Sequence, residues 1–247
     1  MTDFSQADFD VRVEWGAPAI EHLAAEADCI VIIDVMSFST CVSVAGERSG
    51  MIFPYPWKDA SAQQFAAEND AECAQFDRRF QGQGFTLSPC SLLNMTAGTR
   101  LVLPSPNGSA LTFKAKAHKA AIFTACFRNL TATARACEKY RQILIVPAGE
   151  KWPDNSLRPA LEDFAAAGGL VSRLSHRRLS AEARAARAVY QHLTRAELER
   201  CGSARELNRR GFAADIALCL EEDVSDLACQ FQGRYFTAHR CKKDRSF

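Results

Sequence analysis

Residues 30–40 read IVIIDVMSFST. An acid, Asp34, ends an apolar run, and Ser37, Ser39 and Thr40 stand where a helical pattern begins. A helix N-terminus presents free N–H groups and partial positive charge, which hold anions. A carboxylate at the same mouth suits Mg²⁺, which takes one or two carboxylates together with phosphate oxygens and water. The plainer reading is that Ser37 or Ser39 caps the helix and Asp34 accepts a backbone N–H bond. A second candidate is Pro104-Ser105-Pro106-Asn107-Gly108-Ser109, where Asn-Gly signals a turn between strand and helix. A third is Phe127-Arg128-Asn129. There Arg128 can clamp a phosphate or carboxylate, and Asn129 can cap the next helix.

Acids cluster again at Glu150 and at Glu162-Asp163, with Arg158 and Pro159 between them. Pro159 fits a first helical position, and acids in a first turn suit the helix dipole. The functional alternative is that one of the pair joins Asp34 around a metal. Adjacent helical residues point about 100° apart, so only one is expected to reach, and Asp163 is the choice.

Several chemistries are excluded. No GxxxxGK[ST] or GxGxxG nucleotide loop occurs, and no GxSxG elbow of a serine hydrolase. The 5 histidines lack HxH or HExxH spacing, and the 10 cysteines form no CxxC pair. They are therefore expected as small buried hydrophobes rather than zinc ligands.

The elements that must position these residues follow an alternating order. Strands are expected at Val11–Trp15, Cys29–Val35, Met51–Tyr55 (stopped by Pro54 and Pro56), Arg100–Leu103, Ala121–Thr124 and Gln142–Pro147. Helices are expected at Ala19–Ala25, Ser39–Arg48, Asp59–Asn69, Ser109–Ala117 and Leu130–Tyr140. Such alternation implies βαβ crossovers and a largely parallel or mixed sheet. Cys29–Val35, apolar throughout, should be a central strand covered on both faces. The second half turns helix-rich: Leu161–Leu174, Ala181–Leu193, Arg195–Arg200, Ala204–Arg209 and Phe212–Leu220, with a last strand at Gly233–Thr237. The small residues Ala165–Gly169 should let their helix approach its neighbours closely. The expected fold is a three-layer α/β/α arrangement in one domain, with a soft boundary at most in the loop 147–159. Ligands in open α/β sheets bind beyond the C-terminal ends of strands, where the crossings at Asp34–Thr40, Pro104–Ser109 and Phe127–Asn129 fall.

The chain has 247 residues, 47% hydrophobic and 24% charged, with 30 Lys+Arg against 29 Asp+Glu. Net charge of +1 argues against a dedicated nucleic-acid binder, which needs excess cations to neutralise phosphates. It leaves room for a local basic pocket. Arg173–Arg210 holds ten arginines and four glutamates and is read as a solvated helical face, with an anion-facing or acidic-partner surface as the alternative. No run approaches the ~20 apolar residues of a membrane span, and the acidic N-terminus lacks a signal peptide's basic start. A cytoplasmic location is expected, with no membrane partner; a homodimer is the assembly considered.

In this order the pieces resemble the 2-phosphosulfolactate phosphatase family. Its Asp followed by an Arg-Ala-Ser-Thr helix start stands here as Ile30–Thr40. Its Gly-Phe…Ser-Pro segment is similar to Gly84–Pro89, its Thr-Thr-Asn-Gly-Thr loop to Ser105–Ser109, and its Asn-containing turn to Phe127–Asn129. Its Ala-Gly-Glu…Glu-Asp…Ala-Gly block matches Ala148–Glu150 and Leu161–Gly168, and its late Gly…Asp motif matches Gly211 to Asp215. The resemblance runs from about Ile30 to Phe236. It implies a Mg²⁺-dependent phosphatase acting on a small phosphorylated sulfo- or carboxylic acid such as 2-phosphosulfolactate. Carried over by position, Asp34, Glu162 and Asp163 are the catalytic acids. Asp34, Glu150, Asp163 and Asp215 are the metal ligands. Ser39, Thr40, Asn107, Gly108, Asn129 and Arg158 contact substrate or phosphate. The chain departs from the family where it has Ser37-Phe38 in place of an Arg, in the shortened Leu87-Ser88-Pro89, in Ser105-Pro106, and around Cys73–Arg79, where a Gly-Glu-Arg motif is not recognisable. A cation at the anion end is thereby expected to be lost. The alternative reading is therefore a catalytically inactive anion-binding or regulatory relative.

Overall fold

The structure is a computed structural model that describes residues 4–80 and 82–240. The first half alternates as expected: β1 (Val11–Val13), α1 (Gly16–Leu23), β2 (Cys29–Ile33), α2 (Phe38–Glu47), β3 (Met51–Tyr55), α3 (Ala60–Glu68) and the two-residue β4 (Glu72–Cys73). Next come β5 (Arg100–Pro104), α4 (Gly108–Ala115), β6 (Ala121–Ala125), α5 (Leu130–Cys137) and β7 (Ile143–Pro147). A small hairpin, β8 (Glu150–Lys151) and β9 (Leu157–Arg158), leads into α6 (Leu161–Arg173). The helices α7 (Ala181–His192), α8 (Arg195–Leu198), α9 (Gly202–Arg209) and α10 (Ala213–Cys219) follow, then β10 (Leu227–Phe231) and β11 (Phe236–Arg240).

Side-chain alternation along β2 builds the three layers. Cys29, Val31 and Ile33 enter one core with α5, α6, α7 and α10. Ile30 and Ile32 enter the other with α1, α2 and α4. Successive strand residues face opposite sides, so a strand apolar at every position requires cover on both. A third, smaller core joins Phe53, Tyr55 and Val102 to Ala62 and Ala66 of α3.

The nine-stranded sheet runs β1-β7-β2-β6-β10-β11-β3-β5-β4. β1, β7, β2 and β6 are mutually parallel, as are β3, β5 and β4. The C-terminal hairpin β10–β11 is wedged between these halves and pairs antiparallel on both sides. The sheet is therefore mixed. Neighbouring strands rotate by roughly 20–25°, so the five steps from β2 to β5 turn the strands by about 100°. That turn brings the loop after β5 to the loop after β2, although the two halves nominally oppose.

The expected last strand lay too early. Gly233, at φ +82°, sits in the hairpin turn, and pairing begins only at Phe236. β10 escaped notice because Leu-Ala-Cys-Gln-Phe has neither β-branched residues nor clean alternation. Pro54 does not stop β3; it pairs in register with Leu103. On the other side, among the described residues, β11 pairs with β3 at Ile52 and not at Pro54, so no ladder bond needs the missing N–H.

Nine described cysteines are free, seven of them buried, as the hydrophobe reading expects. Among the described residues no helix is long and apolar enough to cross a membrane. The small residues of α6 do allow close approach: a Cβ on Gly168 would lie 1.9 Å from the carbonyl oxygen of Ala186 in α7. Because the obstacle is backbone, Gly168→Ala must push the helices apart. The expected cost is about 3 kcal/mol, a fall in Tm of roughly 6–12 °C. A thermal melt checks this; an unchanged Tm would contradict so tight a contact.

Candidate active site

The loops after β2, β3, β5 and β7 converge on a polar cavity of about 150 Å³. β2 delivers Asp34, Met36 and Ser37, β3 delivers Lys58, β5 delivers Ser105, Pro106 and Asn107, and β7 delivers Glu150. The long connection before β5 adds Arg78 and Leu87, while α9 and the residue after it add Ser203, Glu206, Leu207 and Arg210.

Asp34 is 4% exposed. Its Oδ2 accepts the Gly108 N–H at 2.8 Å and its Oδ1 the Phe38 N–H at 3.3 Å. It thus joins the N-termini of α4 and α2. Gly108 is required there, since a Cβ would lie 2.3 Å from the Phe38 ring and 2.9 Å from Asp34 Oδ2. Burial raises the Asp34 pKa, against the pull of those two N–H donors.

Glu150 Oε2 accepts from Asn107 Nδ2 at 2.9 Å. Burial, followed by the nearby Asp34 charge, pushes the Glu150 pKa up to about 7. Such a carboxyl costs stability when ionised. The cost is absent below the unfolded value near 4.5 and complete above the folded value. Glu150→Gln keeps an acceptor for Asn107 and removes that charge. The variant is expected to exceed the parent in stability by up to about 3 kcal/mol at pH 8, with the difference vanishing by pH 4. Melts across this range check it; a pH-independent difference would refute the assignment.

The cations on the other wall, Lys58, Arg78 and Arg210, are not among the site residues expected from the sequence. Arg78 Nη2 donates to Ser37 Oγ at 2.9 Å, and Nη1 lies 3.4 Å from Asp215 Oδ2. Its side chain is only 9% exposed. The guanidinium thus sits on Ser37, at the position where the sequence departs from the family by lacking an Arg. The expected loss of a cation is made good from a loop forty residues away. Lys58 lies in the same cavity, and burial together with the Arg78 charge lowers its pKa. Lys58 follows a strand end as Asp34 does; Arg78 falls in the segment Cys73–Arg79, where the Gly-Glu-Arg motif is not recognisable, and Arg210 ends the arginine-rich stretch read as a solvated face.

Several sequence candidates prove to be internal supports. Asp163 accepts the Val35 N–H at 2.8 Å on Oδ1 and the Gly149 N–H at 2.9 Å on Oδ2, pinning the loops after β2 and β7 from beneath. Burial and then the Glu162 charge raise its pKa well above the ordinary value. Glu162 is buried beside it and accepts the Cys201 thiol at 3.2 Å. Neither lines the cavity. Ser39 turns inward, its Oγ 2.6 Å from Thr124 Oγ1 and accepting the Asp34 N–H at 2.8 Å. The Thr40 hydroxyl donates to the Val35 carbonyl at 2.8 Å. Helix N-terminal hydroxyls so engaged brace the loop instead of facing a ligand.

Asp215 accepts Ser88 Oγ at 2.6 Å and the Cys90 N–H at 3.2 Å, which leaves it behind Arg78 as its orienting partner. Asn129 accepts the Cys126 N–H at 3.0 Å and faces β10, with Nδ2 3.4 Å from the Leu227 carbonyl. Arg128 is committed to Glu47 and Glu221. Arg158 stays at the rim, 3.3 Å from Ser203 Oγ.

A metal site of four carboxylates therefore does not assemble. Among the described residues no cluster of three or more His, Cys, Asp or Glu side chains is arranged to hold an ion. Asp34 and Glu150 do share the cavity and repel each other. That donor set is compatible with Mg²⁺, whose remaining ligands come from phosphate and water.

A small polar cavity lined by Lys58, Arg78 and Arg210, by Asn107, and by the carboxylates of Asp34, Glu150 and Glu206, the last paired with Arg210 at 3.1 Å, can bind a phosphate ester and position a water against it. Similar proteins carry matching names. A relative from Pseudothermotoga lettingae is 26% identical over 216 residues, covering 85% of this chain and 92% of that one; its name is probable 2-phosphosulfolactate phosphatase. A relative from Thermotoga maritima with the same name is 29% identical over 206 residues, covering 81% of this chain and 87% of that one. The 2-phosphosulpholactate phosphatase family matches residues 18–234, from α1 through the turn of the last hairpin, and the chain belongs to that family.

Proposed function

We propose that the protein is a phosphoric monoester hydrolase that releases phosphate from a small phosphorylated acid, 2-phosphosulfolactate being the leading candidate. The observation that carries this reading is the pairing of Lys58, Arg78 and Arg210 with Asp34, Glu150 and Asn107 around one cavity. In the reaction a water oxygen attacks phosphorus, the bond from phosphorus to the ester oxygen breaks, and the departing alcohol oxygen takes up a proton. Phosphoryl transfer rests mainly on positioning and on neutralising charge over the phosphoryl oxygens. The Arg78 fork, oriented by Asp215, supplies paired donors for a phosphate, and Lys58 adds positive charge, while Arg210 is shared with Glu206 one turn before it.

Glu150, with a pKa near 7, is matched to taking a proton from water at neutral pH. Asn107 holds its carboxylate in place. Mg²⁺ bound at Asp34, with Glu150 beside it, would neutralise phosphate charge and lower the pKa of a bound water. Asp163 and Glu162 act through the loops they brace.

The test is phosphate release from 2-phosphosulfolactate and a panel of phosphorylated small acids, with Mg²⁺ and with a chelator. Release that the chelator abolishes supports the whole reading. Release unaffected by chelator would remove the metal and keep the phosphatase. No release from any ester by folded protein would favour the inactive, anion-binding alternative.

A further inference from the structure

The cavity around Asp34 is small. Sites for organic ligands commonly measure roughly 300–1,000 Å³, and this one measures about 150 Å³. It does not end at its own wall. Pro106, Asn107 and Glu150 also border a second cavity of about 330 Å³, so the Asn107–Glu150 hydrogen bond stands between the two. The second cavity is of opposite character. Its body is made by Ala17, Pro18, Ala110, Leu111, Ala148 and Leu157, between α1, α4 and the β8–β9 hairpin. Of its charges, Glu150 belongs to the shared wall, while Lys114 and Lys151 are exposed, and Lys114 is paired with Glu21.

The wall of this groove is held in place. Gly149, at φ +69°, lies so close under the hairpin that a Cβ would meet Leu157 Cδ1 at 2.7 Å and the Arg158 carbonyl at 2.9 Å. Gly16, at φ +60°, meets the same Leu157 from the other side, at 3.3 Å. Two positive-φ glycines seat one leucine, which closes the groove beside Glu150.

We propose that this groove is a subsite for an apolar substituent on the alcohol of the substrate, resting on the phosphatase reading above. The phosphate and acid groups would sit among Lys58, Arg78 and Arg210. An alkyl group on the carbon bearing the ester oxygen would pass the Asn107–Glu150 pair and lie against Leu111 and Leu157. The substrate class is then 2-phosphooxy acids carrying alkyl side chains of several carbons, alongside compact ones.

Binding is measured by calorimetry on the full chain, using 2-(phosphonomethyl)alkanoates, in which a methylene replaces the ester oxygen. Turnover is measured on the matching phosphate esters. From a methyl to a butyl substituent, affinity and kcat/KM are expected to rise roughly tenfold to sixtyfold, two- to fourfold per methylene as for partly to fully buried CH₂ groups. Ala110→Phe, which fills the groove from α4, is expected to erase that gain; Ala17→Phe from α1 serves if the first variant does not fold. Affinity that is flat or falls with chain length, or a gain that survives both variants, overturns the subsite. Chain-dependent phosphonate binding without phosphate release from any ester keeps the groove and refutes the phosphatase. Phosphate release without chain dependence does the reverse, and no phosphonate binding together with no release from any ester removes both.

Discussion

Asp34→Asn is expected to lower phosphate release about a thousandfold. The side chain lies where β2 ends and where the N-termini of α2 and α4 meet. No other carboxylate in the cavity is held by backbone donors from two helices. Under the proposed reading this carboxylate would hold Mg²⁺ against the phosphate, and an amide would weaken that hold. A cation that neutralises transition-state charge is commonly worth about 10²–10³ in rate. The substitution also has a structural effect. A carboxylate accepts both N–H groups, whereas an amide can accept through only one atom. The donor left unpaired costs roughly 1–3 kcal/mol, partly offset because a charge no longer has to be buried. Steady-state phosphate release and a thermal melt, measured together, separate the two effects. A well-folded variant with parental kcat/KM would show that Asp34 only organises the loop.

Arg78→Met is expected to cost about 30- to several-thousandfold in kcat/KM, corresponding to the roughly 2–5 kcal/mol lost when one partner of a buried charged pair is truncated. Two consequences combine. The cavity loses its paired donors toward the anion, and Asp215, 1% exposed, loses its cation and keeps only Ser88 and the Cys90 N–H. Arg78→Lys separates them. A lysine restores charge but offers one compact ammonium in place of a planar fork, so it should recover stability more fully than activity. If Arg78 binds phosphate in the ground state, KM rises most; if it acts on the transition state alone, kcat falls at constant KM. Arg78→Met with unaltered kinetics would leave Lys58 and Arg210 as the anion site.

Much of the framework was readable from the chain alone. Cys29–Ile33 is apolar at every position, which demands a central strand, and Asp34 must then stand at its mouth. Asn107-Gly108 marks the turn after β5, and Ala148-Gly149-Glu150 follows β7. These inferences depend on short-range rules: side-chain alternation, turn propensity, and the tendency of parallel strands to deliver loops to one end. The same rules give the α/β/α layers, while the ordered motifs carry the resemblance to the family.

What lay beyond the sequence was the direction each polar group faces and what reaches it from afar. Ser39 and Thr40 occupy a helix start, yet their hydroxyls are consumed by Thr124 and by the Val35 carbonyl. Asp163 is drawn under the loops because two buried N–H groups need acceptors, a demand that exists only once β2, β7 and α6 have packed. Arg78 reaches Ser37 across forty residues of chain, and β10–β11 enters the middle of the sheet from the C-terminal end. Periodicity cannot report such contacts, because they are set by which surfaces remain unpaired after the core has formed. The strand-end acid, the Asn-Gly turn and the layered fold are written in local patterns; which acids face the cavity, which brace it, and where its cations come from follow from how the elements pack.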